Sequence, residues 1–425
     1  MSSLPVRDQQ VIWHPYTQMK TAGLPIAVAK GNGPWLYDEH GNKYLDAISS
    51  WWVNLHGHAN LYLAEKLYEQ AKILEHVIFA GFTHEPAVRL AERLLPLLPG
   101  NFSRIFYSDN GSTAVEVALK MCIQFWKNRE SDESQRKTIV ALKNSYHGDT
   151  FGAMSVSERR VFTLPFRDYL FEVEFIDLPT EENLQEAKSK IKIQNSKIAC
   201  FIYEPLVQGA GGMKMYEPSH LNELLKEFHA HGIPCIADEV MTGFYRTGKM
   251  FAGEFVDEKA DIICLSKGIT GGMMAMGATA CTSEIYEAFL SDDKSKTLFH
   301  GHSYTANPLA CAVANASLDL LMEDKCLERI KMIEEMNGSN SVKGKENIKN
   351  LRQLGTILAF EVNAGADGYL NNVSRIISEK ALQNELIIRP LGNTVYIMPP
   401  YCITDEQLER VFAFIEKIGP PEAGH

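Results

Sequence analysis

Between residues 104 and 265 of this 425-residue chain, short apolar runs alternate with longer amphipathic segments, and that alternation admits few folds. A run of four or five apolar residues is too short for a buried helix and suits a strand covered on both faces. Five such runs occur, at residues 104–107, 138–142, 199–203, 233–237 and 262–265. Between two of them, residues 218–231 put Leu221, Leu224, Leu225 and Phe228 on one face and stop at Gly232, which predicts a helix with its terminator. The expected fold class is α/β, a mainly parallel sheet flanked by helices.

Toward the ends the pattern changes. Residues 35–46 predict a hairpin, with Trp35, Leu36 and Tyr37 before a polar turn at 38–42 and Tyr44 and Leu45 after it. From Asp324 the chain reads as a charged helix, then an exposed loop at 337–341, then strands at 356–362, 387–389 and 394–398. These ends predict a small α+β domain, residues 1–58 with 315–425, beside a large domain of 59–314. The uncharged stretch 297–318 holds His300, His302, Asn307, Pro308 and Asn315, so it predicts a loop entering a helix and no membrane span.

Composition excludes one class of partner. With 42 basic and 53 acidic side chains the formal net charge is −11, and nucleic acid is not expected as a partner because phosphate-binding surfaces need a basic excess. The 8 cysteines are scattered, the closest pair being Cys311 and Cys326, so no zinc or redox spacing occurs and no metal site is expected. Reduced thiols and a start (residues 1–10) without a basic, then apolar, export pattern predict a cytoplasmic protein.

Open α/β sheets bind ligands beyond the carboxyl ends of their strands. There the chain offers Glu204 after the run at 199–203, Asp238 and Glu239 after 233–237, and Ser266 and Lys267 after 262–265. Strand ends also carry charge merely because they meet solvent. Apolar residues followed by Asp-Glu could also be a magnesium-binding strand of an NTPase, but the chain lacks the GxxxxGK[ST] loop such a site requires. Residues 107–120 follow a strand and open a helix with small hydroxyls and free N–H groups, a seat for phosphate or simply a Ser/Asn cap. Phosphate seat, carboxylate and lysine together are the parts that hold pyridoxal phosphate: the lysine forms a Schiff base with its aldehyde, and the carboxylate keeps its ring nitrogen protonated. Tyr146 offers an aromatic face for the ring.

At residues 108–119, 145–150, 204–213, 237–248 and 265–268 the chain resembles the class III aminotransferases, a family of fold type I pyridoxal-phosphate-dependent transferases. The resemblance implies that Lys267 carries the cofactor and shuttles the proton, that Asp238 pairs with the ring nitrogen, and that Gly111 and Ser112 bind the phosphate. It implies Val240 and Tyr146 on the two faces of the ring, Glu204 and His302 among the cofactor contacts, and Ser303 reaching the phosphate from a neighbouring subunit. A homodimer with its site at the subunit interface follows.

Residues 13–19, 49–52 and 389–401 resemble a narrower branch of that family, which aminates 8-amino-7-oxononanoate to 7,8-diaminononanoate during biotin synthesis. An acceptor with a long aliphatic chain ending in a carboxylate wants an aromatic slot and an arginine fork. Tyr16, Trp51 and Tyr146 would wall the slot and Arg389 would be the fork, with Lys267, Gly301 and Tyr396 also touching substrate and Tyr16 also catalytic. The implied amino donor is S-adenosylmethionine; lysine as donor, or the activity of another class III ω-amine aminotransferase, is the alternative. Three departures bear on this reading. Gly301-His302-Ser303 stands in place of Gly-Pro-Thr, Met241 in place of glutamine, and Tyr245 in place of a glycine, where it is expected to reshape the entrance beside Arg246.

Overall fold

Four of the five apolar runs lie wholly within strands of one seven-stranded sheet, and the fifth, 233–237, enters its strand at Cys235. The computed structural model describes residues 2–129, 136–339, 342, 344–345, 348–362 and 372–418. The strands are β1 (Phe102–Ser108), β2 (Thr138–Leu142), β3 (Val173–Ile176), β4 (Ile198–Tyr203), β5 (Cys235–Asp238), β6 (Ile262–Leu265) and β7 (Gly277–Thr282). Their spatial order is β1-β7-β6-β5-β4-β2-β3. Pairing is parallel from β6 through β3, and β7 runs antiparallel to both β6 and β1. Strands β4, β5 and β6 are buried at every residue, which is why they read as unbroken apolar runs.

Two helices show how the sheet is covered. Helix α1 (Gly111–Asn128) packs with Ile202 in one apolar cluster, while Phe201 and Tyr203 belong to the other, with α2 (Pro218–Ala230). Successive residues of β4 therefore serve opposite faces. Leu221, Leu224, Leu225 and Phe228 are all fully buried, and Phe228 stacks on Phe201 with ring centroids 4.4 Å apart. Strands β3 and β7 carried no clear sequence signal. Glu174 interrupts β3, an edge strand, and β7 consists of small residues that let α1 approach until Thr279 Oγ1 donates to the Ala114 carbonyl at 2.8 Å.

The two chain ends meet in one further sheet. Trp35–Asp38 and Lys43–Asp46 form the expected hairpin, its turn closed by Asp38 Oδ1 accepting from His40 N–H (2.9 Å) and Asn42 N–H (2.8 Å). Val28–Asn32 flanks it on one side, and Leu386–Ile387 joins it in parallel on the other. Ile348–Leu354, Ile357–Val362 and Thr394–Ile397 make an antiparallel sheet of their own. The expected loop at 337–341 is corrected in part: helix Asp324–Ser339 continues through 337–339, where Asn337 is buried, and residues 340 and 341 lie outside the described residues. Packing of that helix against the three-stranded sheet overrides the turn preference of Asn-Gly-Ser; Gln353 Nε2 donates to the Glu334 carbonyl at 2.6 Å. Helix Pro308–Leu321 follows its loop, capped by Asn307 accepting from Ala310 N–H at 3.0 Å. Among the described residues no helix is long and apolar enough to cross a membrane.

Candidate active site

Because β4, β5 and β6 are parallel, the residues that follow them open on one edge of the sheet, and a cavity of about 650 Å³ lies there. Its floor holds Lys267, Asp238 and Glu204. Lys267 is partly buried, and desolvation pulls its amine below the ordinary lysine range against the opposing pull of Asp238 and Glu204. Its backbone is left-handed, with φ of 45°. Asp238 accepts from Val240 N–H at 3.1 Å through Oδ1, and Oδ2 lies 2.7 Å from Nδ1 of the buried His147. Burial pushes the Glu204 carboxyl up to about 7, although it accepts from the N–H groups of Tyr146 (3.0 Å) and Gly209 (2.8 Å). Glu239, one residue beyond Asp238, is not on the cavity wall: it accepts from Thr242 Oγ1, Ala252 N–H (3.0 Å) and Gly253 N–H (2.7 Å) and bolts a loop in place.

At one side of the floor α1 begins. Asn110 caps it by accepting from Thr113 N–H at 3.0 Å, and Gly111 and Ser112 line the cavity. Backbone crowding explains the glycines: a Cβ on Gly111 would fall 2.8 Å from Val240 Cγ1, and one on Gly148 (φ +135°) would fall 2.1 Å from Ser112 Oγ. A helix N-terminus at Gly111 and Ser112, a lysine whose amine is pulled below its ordinary range and a hydrogen-bonded carboxylate within one cavity fit a phosphorylated pyridine aldehyde.

The mouth is aromatic. Tyr16 lies with its ring centroid 5.6 Å from those of both Trp51 and Phe162, and its hydroxyl donates to Asp149 Oδ2. Tyr146 donates to the same oxygen at 2.8 Å. The Arg389 guanidinium sits 4.8 Å from the Trp51 ring centroid, and Lys267 Nζ 5.0 Å from that of Trp52. These tryptophans occupy an unusual backbone: Ser49, Ser50, Trp51 and Trp52 have φ of 51°, 44°, 70° and 76°. A left-handed turn costs about 1–2 kcal/mol for each non-glycine residue. Such a turn persists only where its surroundings hold it.

Of the residues expected from sequence, Tyr16, Trp51, Gly111, Ser112, Tyr146, Glu204, Asp238, Val240 and Lys267 line this cavity, as does Met241. Tyr396 does not: it is fully buried behind the wall, 5.9 Å from the Trp52 ring. Arg389 reaches the site through Trp51 and is not itself on the cavity wall. Gly301 and Ser303 are exposed and outside the cavity, and His302 Nε2 lies 3.9 Å from Asp109 Oδ1 at its rim. The expectation that Tyr245 shapes the entrance is corrected. Left-handed residues at Phe244 and Tyr245 turn the chain away, so that Tyr245 lines a separate cleft with Leu327 and Ile330. Arg246 is buried instead, donating to the carbonyls of Pro399 (2.9 Å), Trp52 (3.4 Å) and Asn54 (3.4 Å). Sequence reasoning missed His147, Asp149 and Phe162. The first two flank Gly148 beside Tyr146 and could have been found from that neighbourhood; Phe162 belongs to no pattern.

A second cluster is distinct in kind. His229, Cys235 and Asp261 bring donor atoms within 4.8 Å of one another. The imidazole already bonds Glu258 (3.0 Å) through Nδ1 and Asp261 (3.3 Å) through Nε2, the geometry of an ion pair.

The chain belongs to the class III aminotransferases, whose family profile matches residues 16–418. Its cofactor is pyridoxal phosphate. Within that family it is 45% identical over 414 residues to the adenosylmethionine-8-amino-7-oxononanoate aminotransferase of Synechococcus elongatus, covering 95% of this chain and 97% of that protein. The crystal structure of the enzyme of that name from Methanocaldococcus jannaschii superposes with a TM-score of 0.92 at 34% identity over 97% of each chain. A PMP-bound aminotransferase from Vibrio fluvialis matches at TM-score 0.91 and 26% identity, over 98% of this chain and 97% of that one.

Proposed function

We propose that the protein transfers an amino group from S-adenosylmethionine to the ketone of 8-amino-7-oxononanoate, giving 7,8-diaminononanoate for biotin synthesis. The observation that carries this reading is near-full-length similarity to enzymes of that name, joined to a cavity whose floor suits the cofactor and whose mouth suits a long acyl chain. Pyridoxal phosphate, when bound, supplies the aldehyde that carries the amino group and a ring that accepts carbanion electrons.

In this reading Lys267 Nζ, its amine pulled below the ordinary lysine range by burial, would take the proton from the amine-bearing carbon of the donor and deliver one to the former ketone carbon of the acceptor. Asp238, oriented by His147, holds the ring nitrogen's proton. Gly111 and Ser112 take the phosphate, and Tyr146 and Val240 bound the ring. Tyr16, Trp51 and Phe162 exclude water from the acyl chain, whose carboxylate meets Arg389. The same reading assigns residues 59–314 to a cofactor-binding domain and both ends to a small one. It makes the protein a cytoplasmic homodimer, with Gly301, His302 and Ser303 serving the neighbouring subunit's site; eight unpaired cysteines accord with a reducing compartment.

Mixing the purified holoenzyme with S-adenosylmethionine and the keto acid tests this by mass spectrometry of the product. Diaminononanoate formed with S-adenosylmethionine supports the reading, formation only with lysine moves the donor, and none with either donor ends it.

A further inference from the structure

We propose that Asp46 is a positioning residue for the acceptor slot, holding the left-handed turn that carries Trp51 and Trp52. This rests on the aminotransferase reading above. Asp46 ends the strand Lys43–Asp46 and its side chain is completely buried, yet it lies outside the cavity. Both carboxylate oxygens are spent on the turn and its exit. Oδ1 accepts from Ile48 N–H at 3.1 Å, just before the first left-handed residue. Oδ2 accepts from Ser50 Oγ–H at 2.8 Å, inside the turn, and from His58 Nε2–H at 2.9 Å, beyond it. His58 is fixed in turn by Asn54, whose Nδ2 donates to Nδ1 at 3.1 Å.

One carboxylate thus ties the entry, middle and exit of a segment that would otherwise relax to right-handed or extended backbone. Ser49 Oγ–H adds a bond to the Met398 carbonyl at 2.8 Å, and the Arg246 guanidinium holds the Trp52 and Asn54 carbonyls. What the turn presents is functional. Trp51 lies under Arg389, and Trp52 lies under Lys267. Releasing the turn would move the wall against which the guanidinium rests, and so the point where an acceptor carboxylate is met, while Asp238, Gly111 and Ser112 stay on separate elements.

The test measures both substrates in the holoenzyme carrying Asp46→Ala, with Ser50→Ala as a milder variant. Asp46→Ala is expected to raise KM for the keto acid about tenfold, with cofactor occupancy, read from visible absorbance, unchanged; loss of binding without loss of the chemical site has this form. Ser50→Ala, which removes one of the three bonds, is expected to raise that KM about threefold. Adding Ser50→Gly to Asp46→Ala should recover part of the loss, since glycine accepts φ of 44° freely. An acceptor KM within twofold of wild type in Asp46→Ala, or equal loss of occupancy and activity, overturns the proposal. Should Asp46→Ala not fold, an unchanged KM in Ser50→Ala overturns it. If the wild-type enzyme itself fails with the keto acid, the functional reading falls, and the near-ultraviolet tryptophan bands decide. The holding role then requires Asp46→Ala to alter them in the folded holoprotein, and requires Trp51→Phe to abolish that difference.

Discussion

The floor and the mouth of the cavity are built in opposite ways. The floor uses the ends of ordinary parallel strands, and Asp238, Lys267 and Glu204 stand where β5, β6 and β4 run out. The mouth uses a left-handed turn, a tyrosine near residue 16 and an arginine near residue 389, joined by bonds that span almost the whole chain. Regular structure places the chemistry common to a family, and irregular structure places what one member binds. Damage to the floor should therefore abolish both half-reactions, and damage to the mouth should separate them.

The largest effect belongs to the floor. Lys267→Ala should lower turnover about 10⁴-fold, the upper range for a positioned acid–base group, with both donor and acceptor. Single-turnover absorbance with each substrate checks it, and a loss confined to one substrate would break the comparison. Asp238→Asn should follow, with a fall of about 10²–10³-fold in both half-reactions, as for removal of one preorganised electrostatic partner. At the mouth, Arg389→Ala should lower kcat/KM for the keto acid about 10–100-fold, the worth of a charged hydrogen bond, while the half-reaction with S-adenosylmethionine changes little. Steady-state kinetics with each substrate varied in turn would show it.

The smallest effect is on stability. Glu204 has its folded pKa raised by burial to about 7, above the unfolded value, so the native state holds its proton longer than the unfolded chain does. Its presence therefore weakens the fold as pH climbs from about 4.5 to 7. The Tm of Glu204→Gln should fall less than that of wild type between pH 5 and 8, by roughly 1–2 °C, in thermal scans across that range.

The same division explains what could be read in advance. Runs such as 199–203 and 262–265 announced their strands because residues buried on both faces must all be apolar, and the residues after them then stood at the cavity by rule. Strand β7 stayed hidden because its role is to be small. Tyr16, Trp51 and Arg389 emerged through family resemblance, since nothing local marks them as neighbours. Asp46 and Phe162 emerged by neither route: the first looks like any strand-end acid, and the second lies in an irregular segment. Tyr396 shows the reverse error, a residue within a recognisable motif whose burial behind Trp52 keeps it off the cavity wall.

The strand Leu386–Ile387 that pairs with Lys43–Asp46 also sets an order of assembly during synthesis. At about 5–20 residues per second the amino-terminal hairpin leaves the ribosome roughly 20–70 seconds before its partner strand exists. Every strand of the large sheet, ending at Thr282, is made within that interval. The newborn chain therefore has the makings of a cofactor seat, and the Asp46 contacts of the turn that carries Trp51 and Trp52, well before Leu386–Ile387 and Arg389, the late-made partners of the substrate slot, exist.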